Sequence, residues 1–253
     1  MKNKLILALS GNDIFSGGGL HADLATYTVN GLHGFVAVTC LTAMTDKGFE
    51  VIPVEEEVFA QQLSSLKDVP FSAIKIGLLP NLEIAEQALA FVKQHGDIPV
   101  VLDPVLVCKE NYDLEVSALR EEIIKFFPHV SIITPNLAEA QLLTQKEIKS
   151  LEDMQAAAKK LYDLGAKHVV IKGGNRLSKE RAVDVYYDGR EFEVMESPVL
   201  ASNNTGAGCT FASSITSQLL LGKSPLAAVQ LSKDFVYRAI QHSDQYGVVQ
   251  YEK

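Results

Sequence analysis

The sequence predicts an α/β fold built on a mostly parallel sheet with helices on both faces. Three observations predict it. Short apolar runs alternate along the chain with stretches of helical period. The runs are apolar almost without interruption, as strands buried on both faces are. The 253 residues, 47% of them hydrophobic, suffice for one substantial core, and α/β folds often exceed 200 residues as one unit. One domain spanning residues 1–253 is expected.

The first apolar run, Leu5 to Leu9, stops at Ser10 and Gly11. Leu20 to Asn30 carries Leu20, Leu24 and Tyr27 at helical spacing and closes on Gly31. Phe35 to Ala43 reads as one strand, favoured by the β-branched Val36, Val38 and Thr39, and completes a β-helix-β unit. Further strands are expected near Ala73 to Ile76, Val100 to Asp103, Val130 to Thr134 and Val169 to Lys172. Between them fall helical patterns near Glu56 to Leu66, Leu82 to Gln94, Val116 to Phe126 and Leu151 to Leu164. The last is the most regular: Leu151, Met154, Ala158, Leu161 and Leu164 form one stripe, Ser150 and Asp153 suit the N-terminal cap, and Gly165 stops it. Ala182 to Tyr187 and Glu191 to Met195, joined across Asp188-Gly189, read as a hairpin. Helices near Thr210 to Leu221 and Leu226 to His242 finish the chain.

Composition removes several classes of function. Disorder, collagen and coiled coil are excluded. A net charge of −8 without a Lys/Arg cluster argues against nucleic acid and against an anionic membrane surface. Apolar runs as short as Leu5 to Leu9 cannot span a bilayer, and MKNKLILALSGND turns polar too soon for a signal peptide, so a cytoplasmic protein is expected. Three cysteines (Cys40, Cys108, Cys209) lack CxxC spacing and form neither a disulfide framework nor a zinc site. Cys40, inside an apolar run, reads as core.

Chemistry concentrates at the expected ends of strands. Asn203 to Thr210 precedes a helix, and its glycines let backbone N–H groups turn inward beside the positive helix end, a setting suited to a phosphate. A glycine turn would look the same, but Cys209 falls in the first turn, where the helix end is expected to lower a thiol pKa. Asn136 and Glu139, after Ile132 to Thr134, could organise a hydrated Mg²⁺ beside phosphates or could simply form a capping box. Lys172 ends a strand before Gly173-Gly174-Asn175-Arg176, whose backbone can approach a nucleotide closely, and Asp103 ends another strand on the same edge. Two nucleotide motifs fail. Gly17 to Ala22 satisfies GxGxxA but stands off from its strand without a ribose carboxylate, and Gly222-Lys223-Ser224 lies at the end of a helix rather than its start.

Gly11-Asn12-Asp13, Ser16 to Leu24, Lys75 to Leu79, Asp103-Pro104-Val105, Ile133 to Glu139, Lys172-Gly173-Gly174 and Gly206 to Thr210 together resemble the ribokinase superfamily. They are most similar to its hydroxymethylpyrimidine kinase and pyridoxal kinase branch. The match runs in order over nearly the whole chain. The resemblance implies a ribokinase-like three-layer α/β/α fold, ATP with Mg²⁺, and transfer of the γ-phosphoryl to a hydroxymethyl group on a flat heteroaromatic ring. It implies Cys209 as the base, where most of the superfamily has an Asp, with Gly206, Ala207 and Gly208 as the anion hole. Asn136, Glu139 and Asp103 would serve the phosphates and metal, and Lys172 to Arg176 with Asp184 and Gly208 the nucleotide. Asp13, Gly18, Gly19, Met44, Leu78 and Cys108 would hold the ring.

Within the branch, pyrimidine enzymes typically carry Thr-Ala-Gln where this chain has Thr42-Ala43-Met44. A thioether cannot pair with an aminopyrimidine. Pro104 to Lys109 resembles the lid of the pyridoxal enzymes, whose cysteine adds reversibly to the aldehyde, a role that would fall to Cys108. The resemblance therefore favours a vitamin B6 kinase, with the thiamine-pathway pyrimidine kinase as alternative, and implies a homodimer. Asn12 and Asn204-Thr205 depart from the usual Ser and His. A NAD-dependent oxidoreductase is disfavoured by the displaced GxGxxA, and a silent vitamin-binding protein by Cys209.

Overall fold

A computed structural model describes residues 4–106 and 114–250. Cys108 lies outside the described residues, as does half of the expected lid, residues 107–109. The central sheet has eight strands: β1 (Leu5–Ser10), β2 (His33–Val38), β5 (Ala73–Ile76), β6 (Val100–Leu102), β7 (Ile132–Ile133), β8 (Val169–Lys172), β9 (Arg181–Tyr187) and β10 (Phe192–Pro198). Their order is β10-β9-β8-β7-β6-β5-β1-β2. From β2 to β8 all neighbours are parallel, and only the β9–β10 hairpin brings antiparallel pairings. The strands alternate between two buried faces, which explains their continuous apolarity. Leu7, Leu9, Ile74, Ile76, Leu102 and Val169 pack on one side against α2 (Glu56–Leu66), α3 (Leu82–Lys93), α4 (Leu114–Lys125), α5 (Leu137–Thr144) and α6 (Leu151–Asp163). Ile6, Ala8, Ala73, Val101, Ile132 and Val170 face α1 (Gly19–Val29), α7 (Ala207–Leu220) and α8 (Pro225–Gln241). This is the expected three-layer α/β/α arrangement. Among the described residues no helix is long and apolar enough to cross a membrane.

Most expected elements form where their signals lie. The α6 cap is a full capping box, with Ser150 Oγ accepting from the Asp153 N–H at 3.1 Å and Asp153 returning the bond to Ser150 N. Cys40 is fully buried, as expected. One expectation fails. Phe35 to Ala43 is not one strand but the end of β2 and the start of β3 (Cys40–Thr45), which pairs with β4 (Gly48–Pro53) as a separate two-stranded ribbon. The break has a visible cause. The Gln62 side chain from α2 accepts from the Val38 N–H at 2.8 Å and donates to the Val38 carbonyl at 3.0 Å, saturating the strand end. Thr39 then turns its hydroxyl to the Leu78 carbonyl at 2.7 Å, and the chain leaves the sheet.

β1 is also where the sheet changes direction. The chain steps from β1 to β2 on one side and resumes at β5 on the other. At such a switch point the loops at the carboxyl ends of the two neighbouring strands part and leave a crevice. Gly11 to Gly19 leaves β1 there, and Gly77-Leu78 leaves β5.

Because Gln62 satisfies both backbone groups at the break, Gln62→Ala is expected to destabilise the fold by about 1–3 kcal/mol, the cost of leaving a part-buried donor and acceptor unpaired. Denaturant unfolding measures it. A change below about 0.5 kcal/mol, the range of ordinary surface substitutions, would mean the break is set elsewhere.

Candidate active site

Two helices begin in the crevice and meet at one sulfur. The Gly19 N–H, at the start of α1, points to Cys209 Sγ at 3.3 Å in the first turn of α7. The approach depends on Gly206, which caps α7 with φ +83°; a Cβ there would stand 1.5 Å from the Gly17 carbonyl oxygen. The glycine loop itself is gathered by Asp13, whose carboxylate accepts from Gly18 N at 2.8 Å and Phe15 N at 3.0 Å. One turn further along the paired helices, Ser213 Oγ donates to Asp23 at 2.6 Å, and Asp23 holds Lys75 of β5 at 3.0 Å, both fully buried.

Cys209 corrects one expectation. Its thiol pKa is raised rather than lowered: burial pushes it up, Lys75 pulls it down, and Asp23 and Asp103 add to the rise, against a small opposing contribution from the Gly19 N–H. The two helix ends therefore surround a thiol. The three residues expected as an anion hole, Gly206, Ala207 and Gly208, are not equally placed to donate. Ala207 donates its N–H at 3.0 Å to the Asn204 carbonyl, leaving the amides of Gly208 and Cys209 among the first-turn donors that a helix cannot satisfy itself.

Beside this junction lies a cavity of about 350 Å³. Asn136, Lys172, Gly173, Gly174, Asn175, Arg176, Asp184 and Gly208, the whole expected nucleotide set, line it, as does Ala207. Asp184 carries the floor: one oxygen accepts from Gly173 N at 3.0 Å and the other takes Lys233 Nζ of α8 at 2.6 Å. Gly208 lines the cavity next to Cys209 in the chain, and a Cβ there would meet Lys172 Nζ at 3.4 Å and Asp103 Oδ2 at 3.8 Å, so this turn lies directly over the charged group. Lys233 and the apolar wall formed by Pro198, Leu200, Val236, Tyr237 and Ile240 were not legible as site residues. On α8, positions 233, 236, 237 and 240 have the spacing of an ordinary buried stripe, which sequence cannot tell from a cavity wall.

Asp103, Glu139 and Lys172 form a buried charged group under the cavity. Lys172 Nζ lies 2.6 Å from Asp103 Oδ1, which also accepts from Thr134 Oγ1 at 2.9 Å. Asn136 and Glu139 do make the capping box, with the Asn136 side chain on Glu139 N at 3.0 Å and the Glu139 carboxylate on Asn136 N at 2.7 Å. That role does not exhaust Glu139. Burial pushes its pKa up to about 7, Asp103 adds to the rise, and Lys172 works against it. Of the two buried carboxylates only Asp103 is paired with the ammonium, and Glu139 feels it through space, so the group has room for further positive charge. Among the described residues no three His, Cys, Asp or Glu side chains form a complete metal cage. The arrangement thus fits a hydrated Mg²⁺ brought with phosphates and held by one or two carboxylates.

The ring-side residues are spread more widely. Gly18 and Gly19 stand against Cys209, and Leu78, half-buried, lies near Gly11. Met44, 62% exposed, sits on the β3–β4 ribbon on the same face as Thr42, whose hydroxyl accepts from Ile14 N at 2.9 Å. Asn12, in place of the usual Ser, pairs with His21 at 2.9 Å.

Comparison with known proteins places this geometry. The chain matches the phosphomethylpyrimidine kinase family over residues 13–252. It is 39% identical over 247 residues to the pyridoxine kinase of Bacillus subtilis, covering 94% of this chain and 90% of that one. It is 38% identical over 250 residues to the hydroxymethylpyrimidine/phosphomethylpyrimidine kinase of Aquifex aeolicus, covering 96% of each. Among solved structures, the pyridoxal kinase of Staphylococcus aureus in complex with AMP-PCP and pyridoxal superposes with a TM-score of 0.88 at 36% identity, over 96% of this chain and 89% of that one.

The raised Glu139 pKa fixes the sign of a stability effect. In the unfolded chain the group titrates near 4.5 and in the fold near 7, so the fold loses stability as pH rises through that window and stays lower above it. Glu139→Gln, which keeps an acceptor for Asn136 N, is expected to unfold at a higher temperature than the native chain at pH 8, with the gap vanishing near pH 4. Thermal unfolding without added metal checks this. A gap that does not change with pH would contradict the burial of a charged Glu139.

Proposed function

The chain belongs to the phosphomethylpyrimidine kinase family, and from that membership we propose that it transfers the γ-phosphoryl group of ATP to the 5′-hydroxymethyl group of pyridoxal, pyridoxine and pyridoxamine. The observation that carries the proposal is the position of Cys209, between a cavity of nucleotide size and the glycine loop that follows β1. In this reading a group attached to a nucleotide in the cavity would approach that sulfur over Gly208, which lines the cavity and precedes Cys209 in the chain.

In this reading the nucleotide lies along Lys172 to Arg176 and Asp184, with its base against the apolar wall of α8. The amides of Gly208 and Cys209 face the transferring phosphoryl, aided by the α7 end, and Lys172 neutralises its growing charge. The ring rests between the Gly17 to Gly19 loop, Leu78 and the β3–β4 ribbon, with Asp13 holding the loop in shape. Cys209, in its thiolate form, accepts the hydroxyl proton as the oxygen bonds to the γ-phosphorus and the bond to ADP breaks. Phosphoryl transfer needs positioning and charge stabilisation more than a strong base. Glu139 and Asp103 would hold Mg²⁺, which supplies positive charge to the phosphates. The unit extends over residues 1–253 and works on cytoplasmic ATP. A homodimer that covers Leu41 and Ile52, exposed at 48% and 45% on one face of the ribbon, is part of the same proposal.

Overall identity does not choose between the two substrate classes, at 39% and 38%. Residue chemistry does. Met44 offers no hydrogen bond to an aminopyrimidine, and burying that ring unpaired would cost about 1–3 kcal/mol per polar group. Pyridoxal has no exocyclic ring amine to satisfy at that position. The Aquifex relative keeps the pyrimidine as the second reading.

ADP release with Mg·ATP and, in parallel, pyridoxal, pyridoxine, hydroxymethylpyrimidine and its monophosphate tests the proposal. Turnover of the B6 vitamers far above the pyrimidines is expected; the reverse preference would assign the chain to thiamine synthesis. Cys108→Ala is expected to weaken pyridoxal use much more than pyridoxine use, because only pyridoxal has an aldehyde. Equal losses would remove the hemithioacetal role. Cys209→Ala is expected to lower kcat by about 10²-fold or more while nucleotide binding persists.

A further inference from the structure

Lys75, Asp23 and Ser213 have no part in the roles assigned so far, yet they are buried directly beneath the transfer site. Lys75 lies on the face of β5 that meets α1 and α7, fully shielded from water. An ammonium in that position is costly unless paired, and a hydrophobic residue would fill the space more cheaply. Its pairing is specific. Both oxygens of Asp23 stand 3.0 Å from Lys75 Nζ, and Asp23 accepts a further bond from Ser213 Oγ at 2.6 Å. An ammonium has three hydrogens, of which Asp23 can take two. Gly77 leaves the space beside Nζ free: a Cβ there would stand 2.6 Å from it, and Ser10 Oγ, buried without a hydrogen-bond partner, borders the same spot.

The spacing along the helices ties this group to Cys209. Asp23 follows Gly19 by four residues on α1, and Ser213 follows Cys209 by four on α7, so each pair shares a helix face. The Gly19–Cys209 contact and the Asp23–Ser213 bond are therefore successive rungs between the two helices, and Lys75 of β5 closes the second rung from below. The charged and titratable groups facing the sulfur are Lys75 from β5, Asp23 and Tyr27 from α1, Asp103 after β6 and Lys172 from β8. Burial opposes the thiolate most strongly; Lys75 favours it more than Asp23 or Asp103 opposes it.

We propose that Lys75, anchored by Asp23 and Ser213, is a positioning residue for the transfer: its buried ammonium, set under the turn of α7 that carries Cys209, favours the charged form of that sulfur over the thiol, and so eases its acceptance of the substrate proton. The proposal rests on the reading of Cys209 as proton acceptor. It explains why an ion pair occupies a place in the core that Ala8 and Val101 fill with apolar side chains on the two neighbouring strands.

The test removes both charges together, in Lys75→Met/Asp23→Asn, which keeps the bond to Ser213 and leaves no unpaired ion. Ultraviolet thiolate absorbance against pH, taken as the difference between each protein and its Cys209→Ala counterpart, reports Cys209 alone. The midpoint is expected to move up by about one pH unit, and the rise of kcat with pH for pyridoxine to move with it, a loss of about tenfold at neutral pH, with the KM for ATP unchanged. Ser213→Ala, which leaves the ion pair in place, is expected to shift both in the same direction by less, and stands in if the double variant does not fold. An unmoved thiolate midpoint in the folded variants overturns the role of Lys75. A moved midpoint with an unmoved kcat profile overturns the reading of Cys209 as proton acceptor, and the proposal with it.

Discussion

The contact between the starts of α1 and α7 governs the rest of this molecule. Gly17 and Gly206 touch through bare backbone, and only there can two helix ends come close enough for the Gly19 amide to reach the Cys209 sulfur. Each end brings unsatisfied N–H groups and partial positive charge, so their meeting makes a place for negative charge without a basic side chain at the surface. The second rung, Asp23 with Ser213 and Lys75, keeps the helices from sliding. Substitution at Gly206 would act on helix placement, loop shape and thiol environment together, because one backbone approach sets all three.

The sheet explains why this contact falls where it does. β1 and β5 are neighbours, but the chain reaches β5 only after β2 and the β3–β4 ribbon. The gap between their outgoing loops is the space that a ligand can enter. From the same edge, β6 supplies Asp103, the loop after β7 supplies Asn136 and Glu139, and β8 supplies Lys172, so carboxylates and an ammonium collect in a row at strand ends. α8 then closes the far wall with apolar side chains and Lys233, which holds Asp184 under the glycine turn after β8. Buried charges and an apolar wall thus lie side by side in one cavity.

Much of this was legible in the sequence, for physical reasons. Parallel strands buried on both faces leave apolar runs, and the helices between them carry caps and a 3.6-residue period, so β1, β5, β8 and α6 announce themselves. The gathering of Asn136, Lys172 to Arg176, Asp184 and Gly208 around one cavity was legible because glycines and charges at strand ends have few structural reasons to cluster. What stayed hidden depends on partners distant in the chain. The split at Thr39 is made by Gln62, and nothing within Phe35 to Ala43 encodes it. The cavity wall of α8 has the pattern of a core stripe. The thiol environment of Cys209 reversed because a helix end is local, whereas burial comes from the whole fold. The pairing of Lys75 with Asp23, 52 residues apart, is of the same kind.

A structure of the complex with AMP-PCP and pyridoxal tests most directly the claim that everything converges on Cys209. The account requires the 5′-hydroxymethyl oxygen to lie within hydrogen-bond reach of Sγ, with the γ-phosphate over the amides of Gly208 and Cys209 and the base against α8. A hydroxymethyl group bonded instead to Asp13 or Asp103, with Cys209 turned away from it, would contradict the account.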